Sequence, residues 1–131
     1  MASPRISLLL LVLTLYICTG QSKTISTDNI DVRITNKIAS STIDVACSEE
    51  GDIIVNPNTS HDWIVWNSSS KYYCEAIWTV TNHFASIVAY SRRFTGLKIV
   101  FWEAREDGWY VSRDGKSGWK KEAEWESEIV N

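Results

Sequence analysis

Apolar and polar residues alternate along much of this chain, and this period of two constrains the fold more than any other feature. In the segment DVRITN, Val32 and Ile34 fall on the same side of an extended chain. TIDVAC places Ile43, Val45 and Cys47 on one side in the same way. Such a period is typical of β-strands that bury one face. The sequence therefore predicts an all-β fold of about eight short strands, either a small antiparallel β-sandwich or a small barrel.

The segments between and beyond these strands predict how they connect. NKIASS is a short polar stretch between the first two strands, and it suggests a hairpin. If Cys47 and Cys74 both point inward, their strands meet across the core. NHFASIVAYSRRF is ambiguous, because Phe84, Ile87 and Val88 also fit a helical stripe. We predict a strand there, since the segment is short.

Two Asp-Gly pairs near the C-terminus predict turns. Asp107-Gly108 and Asp114-Gly115 offer the positive φ angles that tight hairpin turns need. Strand-like residues flank each pair, so the region from VFWEA to SGWKK predicts a three-stranded meander. Acidic residues are well solvated at such turns. We therefore interpret these four residues as structural and not catalytic.

The first residues have the composition of a secretory signal peptide. Arg5 precedes an apolar run, and small residues at Thr19 and Gly20 offer a cleavage point. An uncleaved anchor is the alternative, but the run is shorter than the ~20 residues that span a bilayer. We expect a signal peptide at 1–20, a loose segment at 21–29 and one sandwich domain at 30–131. The mature chain should be secreted, extracellular and not inserted in a membrane.

Removing the leader leaves two of the three cysteines, Cys47 and Cys74. Two thiols in one small secreted domain are expected to pair, and such a bridge contributes about 3–4 kcal/mol. Two separately buried thiols are the alternative. Neither cysteine has a histidine or another cysteine at ligand spacing, so we expect no metal site and no cofactor.

The charge balance and the titratable residues argue against several function classes. The chain has 13 basic and 16 acidic residues and no basic stripe, which opposes a nucleic-acid partner. A histidine pair can cleave RNA, but nothing in the sequence brings His61 and His83 together. A glycosidase needs two carboxyl groups across a cleft, whereas Glu103 and Glu106 lie on or beside a turn. We expect no enzymatic activity and keep a small hydrolase as the last alternative.

Sugar binding without catalysis is a further hypothesis. Exposed indole rings beside acids can stack on a sugar, although packing in the core is the plainer interpretation of each tryptophan. Several of the seven tryptophans should be partly exposed, from among Trp63, Trp66, Trp102, Trp109, Trp119 and Trp125.

Two sequons, at Asn58 and Asn67, fall in predicted loops and would carry glycans in a eukaryotic host.

The order of five motifs resembles the plant self-incompatibility S1 family, the S-protein homologues. These motifs are VRITN, then TIDVAC, WIVW, YYCEAIW and FWEAREDGWY. The resemblance covers residues 32 to 111. This chain departs from the family in having two mature cysteines where many members have four, which excludes a second bridge. The stretch SRDGKSGWKKEAEW also extends beyond the point where some members stop.

The resemblance implies a secreted β-sandwich that acts as an extracellular ligand in cell–cell recognition. The founding members are secreted by the stigma and recognised at the surface of incompatible pollen. The family has no catalytic residues to transfer; what transfers is the bridge between Cys47 and Cys74 and the Asp107-Gly108 turn. We expect a membrane receptor or another cell-surface protein as the partner. A cell-wall or glycan-binding defence lectin is the alternative.

Overall fold

The protein is built from β-strands. The computed structural model describes residues 29–48, 51–66 and 71–127, and it has nine strands and no α-helix in these ranges. The all-β prediction is confirmed. In chain order the elements are β1 (Ile30–Asn36), β2 (Ile43–Cys47), β3 (Ile53–Val55), β4 (Ser60–Val65), β5 (Lys71–Trp78), β6 (His83–Ser91), a 3-10 helix (Arg92–Phe94), β7 (Ile99–Arg105), β8 (Gly108–Ser112) and β9 (Lys120–Ala123).

The strands form two sheets that share one hydrophobic core. The five-stranded sheet has the order β4-β1-β7-β8-β9, and the four-stranded sheet has the order β3-β2-β5-β6. All strand pairs are antiparallel except β1 with β7, which run parallel from Asp31 beside Ile99 to Asn36 beside Ala104. The last three strands form the predicted meander.

The core consists of the alternating residues that the sequence pattern identified. On β1 and β2, every second residue from Val32 to Asn36 and from Ile43 to Cys47 is buried. Trp63, Trp102 and Trp109 are at most 1% exposed. The indole N–H of Trp102 donates a hydrogen bond of 3.0 Å to the carbonyl of Ala89 on β6, so it joins the two sheets. Since removal of a buried tryptophan side chain typically costs about 3–5 kcal/mol, these rings are major anchors of the sandwich.

The predicted hairpin between β1 and β2 is wrong. β1 uses both of its edges for β4 and β7, whereas β2 pairs with β3 and β5 in the other sheet. The segment NKIASS therefore crosses from one sheet to the other. Its polar residues favour a turn, but they carry no information about which sheet the chain enters next.

A buried asparagine organises this crossing. The side-chain amide of Asn36 donates hydrogen bonds to the carbonyls of Ser41 (2.8 Å) and Val55 (3.0 Å). Its oxygen accepts a hydrogen bond of 2.9 Å from the N–H of Ile38. Asn36 is fully buried, and its side chain satisfies backbone groups that would otherwise lack partners in the core.

The two cysteine strands are neighbours and do not face each other across the core as expected. Cys47 on β2 lies directly opposite Cys74 on β5 within the four-stranded sheet, with 4.0 Å between their Cα atoms. Their sulfurs form a disulfide. Both side chains are buried. Inward-pointing residues can therefore meet on neighbouring strands of one sheet as well as across the core.

The ambiguous segment NHFASIVAYSRRF is extended, as predicted. Ala85, Ile87 and Ala89 alternate with more exposed neighbours along β6. Asn82 lies in the turn before the strand, and the final residues leave it in the 3-10 helix, which buries Phe94.

The predicted signal peptide at 1–20 lies outside the described residues, as does the loose segment except for Asn29. No helix among the residues that the structure describes has the length and apolar character needed to cross a membrane.

Candidate functional site

The outer face of the four-stranded sheet carries a row of exposed apolar side chains. Ile54, Asp44, Ile77 and Phe84 are consecutive cross-strand partners from β3 to β6. Neighbouring strands are about 4.8 Å apart, so this row spans roughly 15 Å. The exposed fractions are 64% for Ile54, 43% for Ile77 and 40% for Phe84. Water therefore contacts three large apolar residues in this row, with Asp44 between Ile54 and Ile77.

The next row along the same face combines acidic residues with small side chains. Ala46, Glu75 and Ser86 are cross-strand partners, and Asp52 precedes β3 beside them. The small side chains of Ala46 and Ser86 leave an open cleft of about 420 Å³, which Asp44, Asp52 and Glu75 line. A further row, formed by Tyr73 and Val88, follows on the other side. We call these three rows the acidic–apolar face.

The carboxylates of this face lack cationic partners. None of Asp44, Asp52 and Glu75 forms an ion pair with a described residue. The Oδ1 atom of Asp44 is buried and has no hydrogen-bond partner within the described ranges. Desolvation raises the pKa of Asp44, and repulsion from Asp52 adds to this effect. The cleft therefore holds negative charge that no residue in the described ranges neutralises.

The outer face of the five-stranded sheet differs, because arginines on it are paired with carboxylates. Arg33 donates two hydrogen bonds to the carboxylate of Asp62, at 2.8 and 3.0 Å. Arg105 lies 2.9 Å from Glu103 and stacks with its guanidinium 4.0 Å from the centre of the Tyr110 ring. These polar side chains satisfy one another, so this face needs no partner to do so.

A loop also covers part of the five-stranded sheet. It runs over residues 113–119, between β8 and β9, and crosses the ring of Phe101 so closely that a Cβ atom on Gly115 would lie 2.7 Å from it. Asp114 fixes this loop by accepting hydrogen bonds from the N–H groups of Lys116 (2.8 Å) and Ser117 (2.9 Å). These two backbone bonds, with help from side-chain hydroxyls, hold the pKa of Asp114 well below its usual value.

Comparison with known proteins assigns the family. The model for the plant self-incompatibility protein S1 matches residues 31–125, which is most of the chain. The chain belongs to this family. No curated protein and no solved structure gave a match.

The predicted turn residues of this S1-family protein have backbone and hydrogen-bonding roles. Gly108 has φ +144° and Gly115 has φ +74°, whereas neither aspartate is among the residues with positive φ. The turn before β8 consists of Glu106 and Asp107, and Gly108 is the first strand residue. The hydroxyl of Tyr110 donates a 2.6 Å hydrogen bond to Asp107, which lowers the pKa of that carboxyl.

The structure does not bring together the histidines or the glutamates that were considered as candidates for catalysis. His61 lies on β4 and His83 on β6, in different sheets. Glu103 is paired with Arg105, while Glu106 is exposed at the turn. No group of three or more potential metal-binding side chains occurs in the described part of the chain.

The tryptophans form no exposed trough of the kind expected for a sugar-binding surface. All seven are described, and three of them are fully buried. Trp125 packs against Trp78 and Trp109, with ring centres 5.7 and 5.5 Å apart. Trp66 is the most exposed of the seven, with 59% of its surface accessible. The expectation that only some of the indoles are exposed is therefore met.

Of the two sequons, the one at Asn58 lies within the described residues. Asn58 is exposed at the turn between β3 and β4, with φ +60°. Its backbone N–H donates a 2.7 Å hydrogen bond to the carbonyl of Asn36. Asn67 lies outside the described residues. A glycan on Asn58 stays a prediction.

Sequence reasoning missed both Asn36 and the acidic–apolar face. Asn36 continues the inward side of a strand that begins with Val32 and Ile34, and a polar residue in that phase is a readable signal. Ile77 and Phe84 were out of phase with the inward residues of their strands. Nothing in the sequence groups the two, because only the register between β5 and β6 places them side by side.

Proposed function

We propose that this S1-family protein is a secreted ligand that a protein on the surface of another cell recognises. The acidic–apolar face is the observation that carries the proposal. Exposed apolar residues in a contiguous patch with polar surroundings are typical of protein–protein interaction sites. On the opposite face of the sandwich, Arg33 and Arg105 are paired with carboxylates, and the loop at 113–119 covers part of the sheet. Recognition is therefore assigned to the four-stranded sheet.

Secretion is part of this proposal. The leader pattern at 1–20, the disulfide between Cys47 and Cys74 and membership of the S1 family all support it. Disulfides persist in oxidising compartments, which include the secretory pathway and the cell exterior. We expect the secreted protein to begin near Gln21 and to carry a glycan at Asn58. An intact mass measured before and after enzymatic deglycosylation checks both points.

A cell-binding assay tests the ligand role. Purified, fluorescently labelled protein is added to plant cells, and saturable binding that unlabelled protein displaces is expected. Mild protease treatment of the cells should abolish this binding. Binding that resists protease but is displaced by wall polysaccharides would instead support the lectin alternative. An absence of saturable binding to cells from any tissue would contradict the proposal.

Two matched variants test the assigned face. Ile77 and Ile64 are exposed to similar extents, 43% and 46%, but they lie on opposite sheets of the sandwich. Ile77→Asn should weaken cell binding, whereas Ile64→Asn should leave it unchanged. Both variants should remain folded, because neither residue belongs to the core. Equal effects of the two substitutions would show that the four-stranded sheet is not the binding face.

A further inference from the structure

The acidic–apolar face has a spacing that restricts what can bind to it. Ile77, Glu75 and Tyr73 are successive outward residues of β5, and they belong to the three rows of the face. Outward residues on one strand are roughly 6.6 Å apart, since each residue rises about 3.3 Å. An extended segment lying along β5 would present every second side chain at this same spacing. An apolar, a charged and another apolar side chain would then meet the three rows in order.

Charge complementarity indicates which side chain of a bound segment would occupy the middle position. Asp44, Asp52 and Glu75 line the cleft together, and no cation within the described ranges pairs with them. Lys71 lies on the same side of β5, beyond Tyr73, and forms no ion pair with these acids. A lysine or arginine side chain in the cleft would supply donors to these carboxylates, and hydrogen bonds between oppositely charged groups are among the strong ones.

A second copy of the same chain fits this face poorly. In a symmetric dimer each subunit uses the same patch. Pairing two acidic–apolar faces would therefore bring the three carboxylates of one copy towards those of the other. Juxtaposed like charges oppose association. The apolar rows alone would permit self-association, but the acidic row between them disfavours it.

We infer that the acidic–apolar face binds an extended segment of the partner protein in which a lysine or arginine alternates with apolar residues on either side. This inference rests on the proposed ligand role and names the chemistry of the partner. The basic side chain enters the cleft between Asp44, Asp52 and Glu75. The flanking apolar side chains contact Ile77 and Phe84 on one side and Tyr73 on the other.

Short synthetic peptides test this inference on the purified protein. The probe has leucine, serine, arginine, serine and leucine in that order, with blocked ends, and its control has glutamate in place of arginine. Amide chemical shifts of the labelled protein are followed during titration. The arginine peptide should shift β2, β5 and β6 and should bind more weakly as salt is raised. Shifts confined to the five-stranded sheet, equal binding of both peptides or no shift with either would overturn the inference.

Charge variants make the test more specific. The double substitution Asp44→Asn and Glu75→Gln preserves shape and should weaken binding of the arginine peptide about tenfold or more. Glu106→Gln removes an exposed acid from the opposite sheet's turn, and it should leave the affinity unchanged. An unchanged affinity in the double variant would contradict the role of the cleft. A concentration-dependent dimer whose shifts map to this same face would identify a second copy as the occupant.

The cell assay separates failure of this inference from failure of the proposed function. If wild-type protein binds cells and Ile77→Asn does not, the ligand role and the face are supported. The double charge variant should then also lose binding. Retention of its binding would mean that the partner is not basic, although the protein is still a ligand. Absence of cell binding by the wild-type protein would remove the proposed function itself.

Discussion

Replacement of Asn36 by alanine should destabilise the protein strongly. The substitution removes three hydrogen bonds, of 2.8, 3.0 and 2.9 Å, to the carbonyls of Ser41 and Val55 and the N–H of Ile38. All three partner residues are buried, so water cannot replace the lost amide without entering the core. A buried polar group left without a partner costs about 1–3 kcal/mol. Three such groups would together cost about 3–9 kcal/mol of unfolding free energy, out of the roughly 5–15 kcal/mol typical of a domain.

Urea unfolding followed by tryptophan fluorescence measures this loss. Three buried indole rings provide the signal. Asn56→Ala is the matched control, because Asn56 is exposed in the connection between β3 and β4, and its side chain forms no hydrogen bond with a described residue. The control should stay within about 0.5 kcal/mol of the wild type. A loss below about 1 kcal/mol for Asn36→Ala would refute the reasoning that this side chain secures the crossing between the sheets.

Three other predictions concern the disulfide, the turn and the loop. Cys47→Ala and Cys74→Ala should each destabilise by a similar amount, about 2–5 kcal/mol, and the wild type should show no reactive thiol in a thiol titration. Gly108→Val should cost more than about 1 kcal/mol in urea unfolding, because its φ is +144° and a Cβ atom would lie 2.5 Å from the carbonyl oxygen of Ala123; a neutral effect would contradict this. The lowered pKa of Asp114 predicts stabilisation that is complete above the unfolded-state pKa, near 3.8, and is lost as pH falls towards the folded-state value. Asp114→Asn should reduce this acid dependence in thermal unfolding, and an unchanged pH profile would argue against it.

The alternation of residues was sufficient to predict the strands and much of the core. Val32, Ile34 and Val45 point inward because a period of two fits an extended chain with one buried face. In β6 the alternation was ambiguous, and the short length of the segment decided in favour of a strand. This alternation is a local property of the sequence, because it compares each residue only with its near neighbours.

The connections between strands could not be predicted in this way. NKIASS has the composition of a turn, and the buried amide of Asn36 is what directs it into the other sheet. The inward direction of Cys47 and Cys74 is compatible with a bridge across the core and with one between neighbouring strands. Only pairing partners, which are distant in sequence, decide between these arrangements.

The candidate site was hidden for the same reason. Asp44, Glu75 and Ile77 come from strands that the chain forms separately, and each is unremarkable by itself. Their association follows from the register of β2 with β5. The sequence drew attention to the acids near the C-terminus, where carboxylates are numerous but are held by hydrogen bonds or ion pairs or lie exposed at a turn.

The parallel pairing of β1 with β7 also dictates when folding can finish. Closing a long connection costs chain entropy before the contacts that it permits can form. In this protein the connection between β1 and β7 contains the whole four-stranded sheet. A nascent chain that ends before Ile99 can therefore complete that sheet but not the sheet that packs against it. β1 can pair with β4 before then, but its other edge stays unpaired until β7 emerges.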